Sequence, residues 1–321
     1  MQSIETIIED LVNGCLKSYD LKYYLEQETV NAEIEKALGK APCGSDIIGI
    51  PTGFKDLDKM AVGLQAGELI IIAGRPSMGK TTFAMNIAEA VAIGAKLPVA
   101  VFSPEMGARY ITLRMMSSLG SINHSDLCKG EIKGESERRK LAIAVNQMQN
   151  APIYIDDDGN LAVTDLCDRV RRLKGEVGDL GLVLVDYLQL VQVLDAKNKN
   201  RASRIGEISR TLKLLAKEMD VPVIALLQLS RLVDYRPNKR PLMSDFHESG
   251  VIEQDADVVM FVYRDEVYNP DSPEKDVAEI IIGKQRNGPL GTVKLSFQRQ
   301  YMRFGDLGPD YSNDIQKGFE H

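Results

Sequence analysis

From position 68 to position 263 the chain alternates short, unbroken apolar runs with longer stretches of helical period. ELIIIAG, PVAVFS, PIYID, LGLVLVDY, VPVIALLQ and ADVVMFVY are strand-length and lack polar alternation. Runs of that kind read as strands buried on both faces, and helices between them imply a parallel sheet. The intervening patterns predict a helix over about 79–93, helical material to about 150, a helix in TDLCDRVRRLKGE with Thr164 as its N-cap, and a helix over about 203–219. EIIIGKQ, GTVKLSF and YMRFG then predict an antiparallel extension. Ahead of all this, Ile4, Ile7, Ile8, Leu11 and Val12 follow the i, i+3, i+4, i+7 spacing of an amphipathic helix. A second helical stretch covers about 20–38, and GKAPCGSDIIGIPTG breaks the pattern as a linker. The expected layout is a helical segment at 1–40, a linker at 41–53, an α/β domain at 54–307 and a polar tail at 308–321. The N-terminal stripe has no evident partner of its own and is expected to be an interaction surface.

Composition narrows the function classes. The chain has 321 residues, 44% hydrophobic and 26% charged, which is ordinary for a globular protein. Four scattered cysteines form no CxxC pair, so neither a zinc site nor a disulfide framework is expected, and a reducing cytoplasm fits. No run is long enough to span a membrane, and no membrane partner is expected. The net charge of −7 excludes a uniformly basic nucleic-acid coat. A local basic run remains, with Lys197, Lys199, Arg201 and Arg204. Taken alone it reads more readily as a solvated loop and helix face.

The chemistry begins at GRPSMGKTT, 74–82, which fits G-x-x-x-x-G-K-[ST] between an expected strand and an expected helix. Glycines let backbone N–H groups curl around phosphate, and the helix N-terminus adds the positive end of a dipole. Gly74, Ser77, Met78, Gly79, Lys80, Thr81 and Thr82 are the expected nucleotide-binding residues. Lys80 suits the β- and γ-phosphates of ATP, and the Thr81 hydroxyl suits Mg2+. Ligands of open parallel sheets bind beyond the carboxyl ends of the strands. Glu105, Asp186 and Gln228 each follow an apolar run and should converge there. Asp186 suits the metal, Glu105 a general base for attacking water, and Gln228 a hydrogen bond to the γ-phosphate. Each alone could be a solvated residue at a strand end. A glutamate after the strand that follows the P-loop helix is a RecA-like arrangement.

GRPSMGKTTFAMNIA, FSPEM, LVLVDYLQLV, EISRTLKLLAKEMDVPVIALLQLSR, ESGVIEQDADVVMFVYRDEVYN and GKQRNGPLGTVKLSF together resemble the ATPase domain of bacterial and phage DnaB-type replicative helicases, over about 49–304. The resemblance implies a RecA-like P-loop core with an antiparallel C-terminal extension and an N-terminal linker helix. It implies a homo-hexameric ring that moves 5′ to 3′ on single-stranded DNA, with ATP sites between subunits. Arg286 matches the family's arginine finger, Lys284 its accompanying lysine, and Arg114 a position beside the nucleotide. His247, Glu248 and Gly250 match a DNA-facing loop, and Lys197, Lys199, Arg201 and Arg204 match another. A helicase loader and a primase are further partners that the resemblance implies. Three departures stand out. His247 replaces the usual arginine, and Pro104 replaces the usual leucine before Glu105. Residues 1–40 are too short for the family's separate N-terminal domain, which leaves a shortened chain or a minimal relative. A filament-forming recombinase and a relative that hydrolyses ATP without unwinding well remain the alternative readings.

Overall fold

The computed structural model describes residues 1–14, 48–193, 200–246 and 250–308, and for residues 12–14 only the backbone. Ten strands make one sheet: β1 (Gln2–Ser3), β2 (Leu69–Gly74), β3 (Val99–Phe102), β4 (Ile153–Asp156), β5 (Leu182–Val185), β6 (Val223–Gln228), β7 (Val258–Tyr263), β8 (Val277–Gln285), β9 (Gly291–Gln298) and β10 (Arg303–Asp306). Their order is β1-β4-β3-β5-β6-β2-β7-β8-β9-β10. The six strands from β4 to β7 in that order are parallel, with β1 antiparallel on one edge and β8 to β10 antiparallel on the other. The helices are α1 (Ile4–Gly14), α2 (Lys55–Ala61), α3 (Lys80–Glu89), α4 (Ala108–Gly120), α5 (His124–Lys129), α6 (Glu135–Gln149), α7 (Val163–Val177), α8 (Arg201–Met219) and α9 (Gly250–Asp255).

The unbroken apolar runs are explained by cover on both faces. In β2 all six residues are buried. Ile70 and Ile72 join the core beneath α1, α3, α4 and α6, while Leu69, Ile71 and Ala73 join the core beneath α7 and α8. Successive side chains point to opposite faces, so a strand covered twice tolerates no polar position. The helix expected over 79–93 is realised as α3, and a π turn over Ala90–Gly94 continues it.

Two expectations are corrected. Thr164 is not an N-cap. Helix α7 starts at Val163 with Ala162 before it, and Thr164 is exposed in the first turn. The cause is a bridge between Ala162 and Gln192, in which the Val163 N–H donates to the Gln192 carbonyl at 2.9 Å. That bond satisfies the helix's first amide from outside and fixes its start. The N-terminal stripe is not an exposed surface either. Ile4, Ile7, Ile8 and Leu11 are buried in the core with residues of α4 and α6, and β1 pairs with the edge strand β4. The stripe is covered by its own chain, so α1 packs as part of the α/β fold. The stretch 20–38 and most of the linker lie outside the described residues.

Helices α8 and α9 approach closely. A Cβ built on Gly206 would come within 3.1 Å of the Val251 side chain, and the Ser209 hydroxyl donates to Asp255 at 3.1 Å. No helix among the described residues is long and apolar enough to cross a membrane.

Because Ile8 is fully buried, Ile8→Ala should lower unfolding stability by about 2–5 kcal/mol. Urea denaturation of the full chain checks this. An unchanged midpoint and slope would show that α1 does not belong to the core.

Candidate active site

The carboxyl ends of β2, β3, β5 and β6 open into one cleft of about 880 Å³, whose lining includes Ser77, Gly79, Lys80, Thr81, Thr82, Glu105, Arg114, Asp186 and Gln228. The residues expected to converge are thus brought together. Gly74 ends β2, and Gly79 stands at the start of α3 with φ of 98°. A Cβ on Gly79 would lie 3.0 Å from the Phe304 ring, so both the backbone angle and the space demand glycine there. Ser77 also takes a left-handed conformation, with φ of 67°. Met78 turns its side chain into the core and can offer a ligand only its backbone.

The charges in the cleft are set by burial and by one another. Lys80 Nζ donates to the Arg75 carbonyl at 3.0 Å. Burial pushes the Lys80 ammonium down to about 8, against the opposing pull of Asp186 and Glu105. Burial pushes the Asp186 carboxyl up to about 6, opposed by a hydrogen bond from the Thr81 hydroxyl. Asp186 Oδ2 is buried and lacks a hydrogen-bond partner. An orphaned carboxylate oxygen beside a threonine hydroxyl fits a magnesium ion whose remaining ligands come from phosphate and water. No cluster of three or more metal-ligating side chains occurs among the described residues. Arg114 is half-buried on α4, and burial lowers its affinity for the proton while Asp186 and Glu105 oppose that. Gln228 is exposed at the end of β6, and its backbone is clamped by the Gln189 side chain, which donates to the Gln228 carbonyl at 2.9 Å.

Two positioning arginines escaped the sequence reading. Arg75 makes a forked pair with Asp234, the shortest contact 2.7 Å, and donates to the Leu229 carbonyl at 2.9 Å. It pins the nucleotide loop to the chain after β6. The motif leaves that position free, so nothing in the sequence flagged it. Arg264 donates to the Ser77 carbonyl at 3.2 Å, pairs with Glu266 and lies 4.0 Å above the Phe297 ring. A charged residue directly after the apolar run of β7 was the available signal.

Lys284 and Arg286 stand elsewhere. They share one side of the hairpin, and both reach carbonyls at the C-terminal end of α9. Lys284 donates to Ala256 at 2.6 Å and to Glu253, and Arg286 Nη2 donates to Gln254 at 2.6 Å. Cations are favoured at a helix C-terminus. Since the Arg286 amide bonds Asp257 and the Asp257 amide bonds Leu69, Arg286 is level with the start of β2. The nucleotide loop begins past the end of β2, roughly 15–20 Å along the strand. Neither cation reaches the cleft of its own chain. Arg201, Arg204 and Gly250 are exposed at the N-terminal ends of α8 and α9. Lys197, Lys199, His247 and Glu248 lie outside the described residues.

Comparison with known proteins gives a consistent picture. The family model described as DnaB-like helicase C-terminal domain matches residues 49–306. The replicative DNA helicase DnaB of Geobacillus stearothermophilus is 52% identical over 262 residues, 82% of this chain and 57% of that protein. DnaB of Haemophilus influenzae is 50% identical over 290 residues, 89% of this chain and 62% of that protein. This chain therefore spans less than two thirds of the length of these curated relatives. A solved structure described as an ATPase domain superposes with a TM-score of 0.79 at 39% identity, covering 87% of this chain and 96% of its own. A DnaB-like replicative helicase solved for its interactions with primase also gives 0.79 at 39%, covering 87% of this chain and 65% of its own.

The lowered Lys80 predicts the sign of a proton linkage. Near pH 8 the free ammonium is about half deprotonated, and a bound polyphosphate favours its charged form. Nucleotide binding at pH 8 should therefore take up about half a proton, falling toward zero at pH 7. Calorimetric titration in buffers of different ionisation enthalpy measures this. Equal enthalpies across buffers at pH 8 would place Lys80 outside the binding equilibrium.

Proposed function

The chain belongs to the DnaB-like helicase C-terminal domain family, and from that premise we propose that it is the motor of an ATP-dependent replicative DNA helicase. In this reading identical subunits assemble as a hexameric ring, hydrolyse ATP between neighbours and move 5′ to 3′ along single-stranded DNA, parting the duplex ahead. The observation that carries it is the placement of Lys284 and Arg286. The cleft holds a phosphate loop and carboxylates but takes no cation from its own hairpin. A ring supplies those cations from the adjacent subunit.

Within the cleft, Lys80 and the loop amides hold the phosphates. Asp186 and Thr81 would hold Mg2+, which when bound offsets phosphate charge. Glu105 takes the proton of the attacking water, and Gln228 bonds the γ-phosphate, so that its β6 position changes when that group leaves. Arg114 lies beside the nucleotide. Arg286 of one subunit, with Lys284, stabilises charge developing on the phosphoryl group held by the next. Arg201, Arg204 and Gly250, at the ends of α8 and α9, contact DNA, and Lys197, Lys199, His247 and Glu248 are further DNA-binding residues in this reading. Six acidic chains can still bind DNA when these groups converge on one channel. Primase and a loader are the further protein partners in this reading.

Glu105→Gln should bind ATP as the parent does yet turn over at least about a hundredfold more slowly, the scale of general-base catalysis. Affinity and turnover are measured on the same preparation, and near-parental turnover removes Glu105 from the base role. Arg286→Ala should be equally inactive alone. Mixed with Lys80→Ala, it forms some interfaces that pair an intact loop with an intact finger, and activity should partly return. Co-assembled mixtures that stay inactive would end the assignment in trans.

A further inference from the structure

The residue that aims Arg286 is on the page as well. Asp257 stands between α9 and β7, only 5% exposed. Its Oδ2 accepts from the Leu69 amide at 2.8 Å and from Lys213 Nζ at 2.6 Å. Its Oδ1 lies 3.5 Å from Arg286 Nε. Backbone bonds bracket the same point, with the Asp257 amide on Leu69 at 2.9 Å and the Arg286 amide on the Asp257 carbonyl at 3.0 Å. Glu68, hydrogen-bonded to Asn287 and near Arg286, adds a second carboxylate on that side.

A buried carboxylate normally has a compensating partner. Lys213 alone would supply the charge, and Lys213 is itself anchored on the Gly67 carbonyl at 2.7 Å. The oxygen left over faces the arginine. Arg286 is about half exposed and on a hairpin turn, so its long side chain has many rotamers available. Two contacts restrict it, Asp257 at Nε and the Gln254 carbonyl at Nη2. Nη1 is engaged by neither. An edge of the guanidinium is thus held at home while the third nitrogen remains to be offered outward.

We propose that Asp257 is a positioning residue that orients Arg286 for catalysis in the neighbouring subunit. It touches no nucleotide and acts through the arginine alone. The assignment rests on the reading that Arg286 works in trans. Arg286 is then aimed from a point fixed to the first residue of β2 and to α8, so the donor of the finger is as rigid as the sheet.

The test uses the full chain. Asp257→Asn keeps shape and an acceptor for Leu69 but removes the charge that holds the guanidinium. Its kcat for ATP should fall on the order of tenfold to a hundredfold, the cost of a small misplacement of a catalytic group. KM should stay within about twofold, because its own phosphate loop is untouched. Mixing with Lys80→Ala should restore turnover, since the defect sits only in the finger that the subunit offers. A merely structural role would act through Leu69 and β2 on the subunit's own nucleotide loop, and no mixture would repair it. Should the stranded Lys213 cation prevent folding, Lys213→Met/Asp257→Asn removes it and takes the single variant's place. Lys213→Met alone should keep parental turnover. Parental kcat in the Asp257 variant overturns the proposal. So does a defect that Lys80→Ala cannot rescue in mixtures where Arg286→Ala is rescued, and so does a loss in Lys213→Met as large as that in Asp257→Asn. If Arg286→Ala is not rescued either, the trans reading itself fails and takes this assignment with it.

Discussion

A parallel sheet covered on both faces touches water only at its two ends. Every other property of this subunit follows from that constraint. The strands from β4 to β7 carry apolar residues toward both cores, so side chains that bind or react must stand before a strand begins or after it stops. The carboxyl ends collect the phosphate loop, Glu105, Asp186 and Gln228. Strand β8 returns antiparallel along β7 and delivers Lys284 and Arg286 to the amino ends. One chain therefore carries a cleft and a pair of cations that the length of its own strands keeps apart.

The electrostatics of the cleft agree with this division. Lys80 and Arg114 face Asp186 and Glu105 in a site where burial penalises the ionised forms of Lys80, Arg114 and Asp186. Such a group of charges is arranged before the ligand arrives, and what remains unbalanced in it is complementary to a phosphate–metal pair. Fixed dipoles and charges of this kind cost no reorganisation during reaction. At the other end Lys284 and Arg286 are stored against the carbonyls of α9, a favourable but weak setting, worth about 0.3–1 kcal/mol for an exposed cation. Lys284 can leave so weak a setting for a stronger anion, while Asp257 keeps the Arg286 guanidinium aimed.

Much of this was legible in the residues. The strands announced themselves because burial on both faces leaves an unmistakable run, and Glu105, Asp186 and Gln228 were readable as polar residues placed directly after such runs. The α7 start was misread because its first amide is satisfied by Gln192, about thirty residues away, which no local pattern reveals. The partner of the Ile4, Ile7, Ile8 and Leu11 stripe was invisible for the same reason. Periodicity shows that a helix has an apolar face, not what covers it, and the cover here lies on α4 and α6. Arg75 and Asp257 were missed because their roles come from partners far along the chain, Asp234 in one case and Leu69 with Lys213 in the other.

The contact between Gly79 and Phe304 ties the nucleotide loop to the last described strand. Phe304 packs at a tilt on Phe297 and edge-on against Phe83 of α3, and its amide donates to the Asn86 side chain at 2.8 Å. The phosphate loop is made early in translation, yet the aromatic floor beneath it is among the last parts of the domain to leave the ribosome. A nascent chain can form most of the parallel sheet while its loop still lacks that floor. A settled phosphate loop thus waits on β10, which is made late in this domain.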